Sequence, residues 1–273
     1  MKKLITLILT LALSVIACFG LTACGGTTYK DLKIIEVGGE TESFGIAFRK
    51  GSNLTRMVEN AIAELEDEGV LATLAETYGV AGVTNYTPAA AENAGSTDFA
   101  TITANGKLVV GITDYKPMDY KEEGSSEWVG FDADLARAVG QKLNIAIEFK
   151  EIEWDNKILD LNAGRIDCVW NGMTITNEIL AAADVSVPYM ENRQVAVVLK
   201  SNAEKYASID KMTGVRVAAE SGSAGETFIK NSTYLKDGLV SVTAQSDAFL
   251  EVMSGKSEIA IVDYMMAKAL IEG

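Results

Sequence analysis

Between Lys107 and Gly273, short apolar runs alternate with stretches of helical period, and that alternation admits few folds. Leu108 to Ile112 reads as a strand, Phe131 to Leu143 as a helix with Leu135, Val139 and Leu143 on one face, and Ile145 to Phe149 as a second strand. Ile158 to Ala163 is a short helix leading to a strand at Cys168-Val169-Trp170. Beyond Val198 the pattern resumes. It predicts a helix near Ile209, a strand at Val215 to Ala219, the loop Glu220 to Gly225 and a helix from Glu226. A strand at Leu239 to Val242, a helix at Ala248 to Met253, a strand at Ile259 to Val262 ending in Asp263, and a last helix complete it. Such a chain builds two α/β units facing each other across Tyr189 to Gln194.

The segment Asp167 to Val198 carries the densest signal. The apolar run at Cys168 is followed directly by Asn171-Gly172-Met173-Thr174-Ile175-Thr176, so polar residues leave the carboxyl end of a strand. In open α/β sheets small ligands sit there, because backbone amides and short hydroxyl side chains converge without filling the space. Thr176 has a second reading of equal weight as the cap of a helix through Glu178 to Ala183.

The formal net charge is -14 and the chain has no histidine. An acidic chain is a poor partner for nucleic acid or an anionic membrane surface, and the missing imidazole excludes Ser-His and Cys-His catalysis and imidazole metal ligation. No cofactor or metal is expected. Met1 to Ala23 reads as an export signal, with Lys2 and Lys3 before an apolar run from Leu4 to Ala17. Cys168, alone within an apolar strand, reads as a core residue, and no disulfide framework exists.

Tyr29 to Val80 reads strand, strand, helix, helix: Leu32 to Val37 and Phe44 to Phe48, then a turn with Ser52 as cap, then Leu54, Val58, Ile62 and Leu65 at helical spacing. Two strands and two helices bury too little surface to stand alone. Ala81 to Gly106, rich in Ala, Thr, Asn, Gly and Ser without apolar periodicity, is expected to be a flexible linker.

Lys107 to Gly273 resembles the amino-terminal three quarters of a periplasmic-type solute-binding protein of the polar amino acid ABC transporter family. The resemblance rests on Gly130-Phe131-Asp132-Ala133-Asp134-Leu135-Ala136, Gly172-Met173-Thr174-Ile175-Thr176, Ser186-Val187-Pro188-Tyr189 and Ile261-Val262-Asp263-Tyr264. Phe44 to Gly51 and the helix pair after it are similar to the carboxyl-terminal quarter of the same family, so the order implied is a circular permutation; a damaged tandem gene is the rival explanation. Leu21-Thr22-Ala23-Cys24 resembles a lipobox, which implies cleavage before Cys24, its lipidation and a tether over residues 24–28.

The resemblance implies an α/β, two-lobed, type II periplasmic-binding-protein fold with a two-strand hinge, in permuted order. Lobe one would be residues 44–80 with 107–190, lobe two residues 29–41 with 194–273, and the hinges would fall near Tyr189 to Arg193 and Glu42 to Phe44. A monomer is expected, held at the outer face of the cytoplasmic membrane through Cys24 and passing a free, polar amino acid to permease subunits.

Carried over residue by residue, Tyr115 would stack on the ligand, with Asp114 beside it. Gly172, Thr174 and Thr176 would hold its carboxylate or amine, and Asp263 would pair with its α-amino group unless it merely caps the next helix. Ser221, Gly222 and Ser223 precede a helix whose amides suit an anion, while Trp170, Trp154 and Asn171 are pocket or packing residues. The family commonly places a carboxylate-clamping arginine where this chain has Ile179; either Arg193 substitutes for it or helix amides hold the carboxylate alone. The competing class is a dehydratase-type enzyme on the same fold, for which Glu220 and Asp114 are the available acids; a ligand-sensing module is a third.

Overall fold

The computed structural model describes residues 27–80, 86–89 and 95–273. The export signal, Cys24 and parts of the expected linker lie outside the described residues. The elements begin with β1 (Leu32–Glu36), β2 (Glu42–Phe48), α1 (Leu54–Asp67), α2 (Val70–Tyr78), α3 (Asp98–Asn105) and β3 (Lys107–Ile112). Next come β4 (Tyr120–Lys121), β5 (Trp128–Val129), α4 (Phe131–Leu143), β6 (Ala146–Glu151), α5 (Lys157–Asn162), β7 (Cys168–Thr174), α6 (Asn177–Ala182), β8 (Asp184–Val185) and β9 (Met190–Asn192). β10 (Gln194–Leu199), β11 (Val217–Glu220), α7 (Ala224–Asn231), β12 (Leu239–Val242), α8 (Gln245–Met253), β13 (Ile259–Asp263) and α9 (Tyr264–Ile271) follow.

Two sheets form two lobes. The first has the order β6-β3-β7-β2-β8, with β9 also paired to β2. Its β3 is parallel to β6 and β7, whereas β2 lies antiparallel to β7. The second sheet has the order β1-β10-β13-β11-β12, with β1 antiparallel to β10 along Leu32↔Leu199 to Glu36↔Val195. The amino-terminal strands thus divide between the lobes: β1 edges the second sheet and β2 lies inside the first.

Hydrophobic patterning explains the layers. β7 is buried from Cys168 to Met173 because it lies between β3 and β2 with helices on both faces. α4 turns Phe131, Leu135 and Val139 into the core and stops at Asn144, whose φ of 54° ends the helix. Against them pack Val58 and Ile62 of α1 and Phe44 and Ile46 of β2. In the second lobe Val197, Ala218 and Val262 face Phe249 and Val252 of α8, while Val198, Val217 and Ile261 face Ile229 of α7 on the other side.

Several sequence expectations need correction. β7 does not end at Trp170 but continues through Thr174, because Phe44 and Gly45 of β2 pair with Thr174 and Met173. The helix expected near Ile209 is a single 3-10 turn, Ile209–Met212. Asn53 occupies the position before α1 and its carboxamide oxygen accepts from the Phe99 N–H at 2.9 Å, while the Ser52 hydroxyl oxygen accepts the first helical N–H, that of Leu54, at 3.2 Å. Within the expected linker, residues 98–105 form α3, with Ile102 buried and Phe99 packed against the core. Arg49 fixes its start, donating to Asp98 (3.2 Å), Asp167 (3.2 Å) and the Ile166 carbonyl (2.9 Å). Two apolar residues three apart are too few to give a legible period, so packing rather than pattern makes this helix. No helix among the described residues is long and apolar enough to cross a membrane.

Candidate functional site

The two lobes are joined where β9 lies antiparallel to the start of β2, Glu42↔Asn192 through Phe44↔Met190. Beside this joint a cavity of about 340 Å³ lies between the lobes. Lobe one contributes Thr113, Tyr115, Trp154, Lys157 and the end of β7; lobe two contributes Glu220, Gly222, Ser223, Gln245 and Asp263.

Asp263 ends β13 and is 6% exposed. It is the first residue before α9, yet its carboxylate makes no capping bond there. Oδ1 accepts instead from Asn192 (2.5 Å) and Gln194 (2.7 Å), and Oδ2 from Gln245 (2.5 Å). Burial pushes its carboxyl up while those three donors pull it down. Bonds to a charged group are worth about 1.5–3 kcal/mol each, so these donors favour the carboxylate form against its burial. Tyr115 is buried beneath it, and burial together with the Asp263 charge pushes the phenol well up.

The floor is built from β7. Gly172 has φ +56°, its N–H donates to Asp132 Oδ2 at 2.7 Å, and a Cβ there would lie 2.5 Å from the Tyr115 ring. Only glycine satisfies both conditions. Burial raises the Asp132 carboxyl to about 7, against hydrogen bonds from Tyr189 and Gly172, and burial also pushes the Asp119 carboxyl up, with the Asp132 charge adding to the effect. Thr174 donates to Glu42 at 3.2 Å, and Thr176 both lines the cavity and caps α6 by accepting from the Ile179 N–H at 3.2 Å.

The lobes touch. Lys157, 8% exposed, reaches from lobe one to donate to the Gly222 carbonyl of lobe two at 2.9 Å and to the Trp154 carbonyl at 3.1 Å. Burial lowers its pKa, opposed by Glu220, Asp155 and Glu178. Gly222, at φ +70°, lies so near Asp155 that a Cβ would sit 2.5 Å from its carboxylate. The arrangement is therefore a closed one.

Of the residues expected in the site, Tyr115, Asn171, Gly172, Thr174, Thr176, Gly222, Ser223 and Asp263 line the cavity. Four do not. Asp114 is exposed on the loop after β3, outside the lining. Trp170 is fully buried in the core, since inward-facing positions of a central strand belong to packing. Arg193 points away and binds Glu36 through two bonds of 3.0 and 2.6 Å, with its guanidinium 3.7 Å from the Tyr264 ring centre. The clamp expected of it is corrected: its fork is already filled. Ser221 also lies off the lining, its N–H spent on the Val242 carbonyl.

Three of the lining residues are committed elsewhere. Asn171 uses its side chain on Thr113 and Asp119, so it positions the floor. At the start of α7, Glu226 Oε2 accepts from the Gly222 N–H at 3.1 Å and Ser223 Oγ from the Glu226 N–H at 3.1 Å. A carboxylate of the chain's own thus occupies part of the expected anion cradle.

Sequence reasoning missed Lys157 and Gln245. Lys157 opens a short helix read as starting one residue later, and its partner is 65 positions away, so no local signal marks it. Gln245 begins α8 three residues ahead of the expected start.

Residues 108–262, more than half of the chain, match the bacterial extracellular solute-binding proteins, family 3. The chain belongs to this family. Among its members, the probable ABC transporter arginine-binding protein ArtJ of Chlamydia trachomatis serovar D is 30% identical over 146 residues, 54% of this chain and 56% of that protein. The chain spans about half the length of the curated relatives it matches. The family fold also relates it to the arginine-bound form of truncated ArgBP from T. maritima, with a TM-score of 0.60 and 29% identity over 63% of this chain and 81% of that one. The ancestral amino acid-binding protein AncCDT-1, a precursor of cyclohexadienyl dehydratase, gives a TM-score of 0.57 and 35% identity over 60% and 73%. The architecture is the two-lobed type II fold of these solute-binding proteins.

Proposed function

We propose that the chain is the extracytoplasmic binding component of an amino acid ABC transporter, closing its lobes on a free amino acid and presenting the closed form to the permease. The observation that carries this is Asp263, a carboxyl group held by three amide donors on the wall of a cavity between touching lobes. That is what an α-ammonium group needs in a site from which water is expelled. Tyr115 offers a ring at its base, and the loop at Gly172 to Thr176 offers hydroxyls and carbonyls. Closing contacts such as Lys157 to Gly222 exist only between lobes, so a ligand that bridges them shifts the open-closed equilibrium. The arginine named for relatives is the first compound to try. A thermal-shift panel of amino acids tests the reading: saturable stabilisation of the purified protein supports it, and none across the panel refutes it.

The dehydratase reading has one observation in its favour. Glu220 is a buried acid in the cavity wall whose carboxyl burial pushes up to about 8, within the range of a general acid at neutral pH. Product formation during incubation with a cyclohexadienyl substrate would favour it over binding.

We also propose that the chain order is a circular permutation. β1 beside β10 and β2 inside the first sheet support it, because both strands complete sheets otherwise built from residues 107–273. A gene recoding the order as 107–273 followed by 27–80 should give a protein of similar stability and affinity. Lipidation at Cys24 is proposed from the lipobox resemblance, and labelled palmitate incorporation lost in Cys24→Ala is its check.

A further inference from the structure

The lobe-two wall of the cavity presents two carboxyl groups, one on either side of Gln245. The Gln245 side-chain amide donates to Asp263 at 2.5 Å, and its backbone N–H faces the Glu220 carboxyl. Asp263 accepts from three side-chain donors and keeps room for another, whereas no side-chain hydrogen bond reaches Glu220 among the described residues. Glu220 is nevertheless 3% exposed and lines the cavity. A buried carboxyl with so few donors is costly unless it is protonated or finds a cation.

The surroundings decide between those states. From lobe one Lys157 approaches Glu220, but it donates to the carbonyls of Trp154 and Gly222, and Asp155 and Glu178 lie beside it. From lobe two Asp263 and Asp247 add negative potential, while Glu226 of α7 is already paired with Lys230 at 2.8 Å. The lobe-two wall around Glu220 is therefore acidic and short of donors.

We propose that Glu220 is a second ligand-binding carboxyl, so that the cavity selects a ligand bearing two cationic nitrogen groups and releases a proton when it fills. This rests on the binding reading above. One ammonium sits at Asp263; the Glu220 O–H bond breaks, its electron pair stays on the carboxylate and its proton passes to solvent, and the second amine-type cation donates N–H bonds to that carboxylate. In the unfilled site burial holds the Glu220 carboxyl up to about 8, so near neutrality it has that proton to give. A ligand with a single cation at Asp263 leaves Glu220 neutral and releases none. Both dibasic amino acids and the diamines derived from them carry this chemistry.

The test is titration calorimetry at pH 7 in phosphate and in Tris, whose ionisation heats differ. The probes are L-arginine, L-lysine and L-ornithine, the diamines cadaverine and putrescine, and L-norleucine as a single-cation match to lysine. The expected result is tighter binding of a dibasic probe than of norleucine by 10-fold or more, with heats that differ between buffers and report proton release. The diamine arm decides whether the α-carboxylate is needed. Glu220→Gln should lose that preference and the buffer dependence together, while its circular dichroism stays native. If Glu220→Gln does not fold, the wild-type buffer comparison decides alone. Binding of norleucine as tight as lysine, or buffer-independent heats for every bound probe, overturns the proposal and leaves the binding reading standing. No binding by any probe or by the wider amino acid panel overturns both.

Discussion

Gly222→Ala separates what the closed arrangement requires from what the loop alone requires. At φ +70° an alanine costs about 1 kcal/mol wherever the lobes stand, since left-handed backbone crowds a Cβ. That part lowers the thermal midpoint of the ligand-free protein. The second part exists only on closure: the new Cβ would sit 2.5 Å from Asp155 Oδ1 and 2.9 Å from Asp155 Cα. The carboxylate can swing aside but the Cα cannot, so the lobes must stay a few tenths of an ångström apart. Overpacking of that kind costs roughly 1–3 kcal/mol, a loss of about 5- to 150-fold in affinity. Calorimetric titration with the amino acid that gives the largest thermal shift reads the closure term, and a ligand-free melt reads the backbone term. An affinity within twofold of wild type, beside a lowered melt, would refute the claim that Gly222 and Asp155 meet on closure.

Arg193→Ala should leave affinity within twofold and cost under about 1 kcal/mol, because its pair with Glu36 is solvent-exposed; a tenfold weaker complex would return it to the site. Asp263→Asn faces three amide donors with an amide and should weaken binding 100-fold or more, about 2.7 kcal/mol, by calorimetry. Asp132 near 7 and Glu220 near 8 bind protons in the folded protein that the unfolded chain has lost by about pH 5. The unfolded state thus holds fewer protons in that window, and the stability of the ligand-free protein should fall as pH rises from about 5 to 8; a melt that is flat or rising there would contradict it. Arg49→Ala removes three anchors of the segment before α3, so limited proteolysis should open residues 95–106 first, with a loss of about 1–3 kcal/mol.

The strands and helices of 107–273 were legible because each buries one side and repeats its period, as at Leu135 and Val139 of α4. The family motifs marked Gly172 and Asp263 for the same reason: special backbone conformation and a charged residue at a strand end are local facts. What escaped were facts of closure and register. Trp170 and Asn171 are neighbours on β7, yet one is core and the other holds a loop, and only sheet pairing distinguishes them. Arg193 looked available because Glu36, its partner, is 157 positions away. α3 was hidden because Phe99 and Ile102 gain their meaning from α1 and the core rather than from each other.

The joint between the lobes bears on how filling is sensed. Asn192 and Gln194 each send one amide nitrogen toward both Asp263 and Glu42, the Glu42 distances being 3.5 and 2.9 Å. Burial and the Asp263 charge both push the Glu42 carboxyl up. Two acids therefore share a common stock of N–H groups carried on β9 and β10, where the lobes join. If a cation docks at Asp263 as proposed above, that demand falls and the amides of Asn192 and Gln194 are freer to serve Glu42.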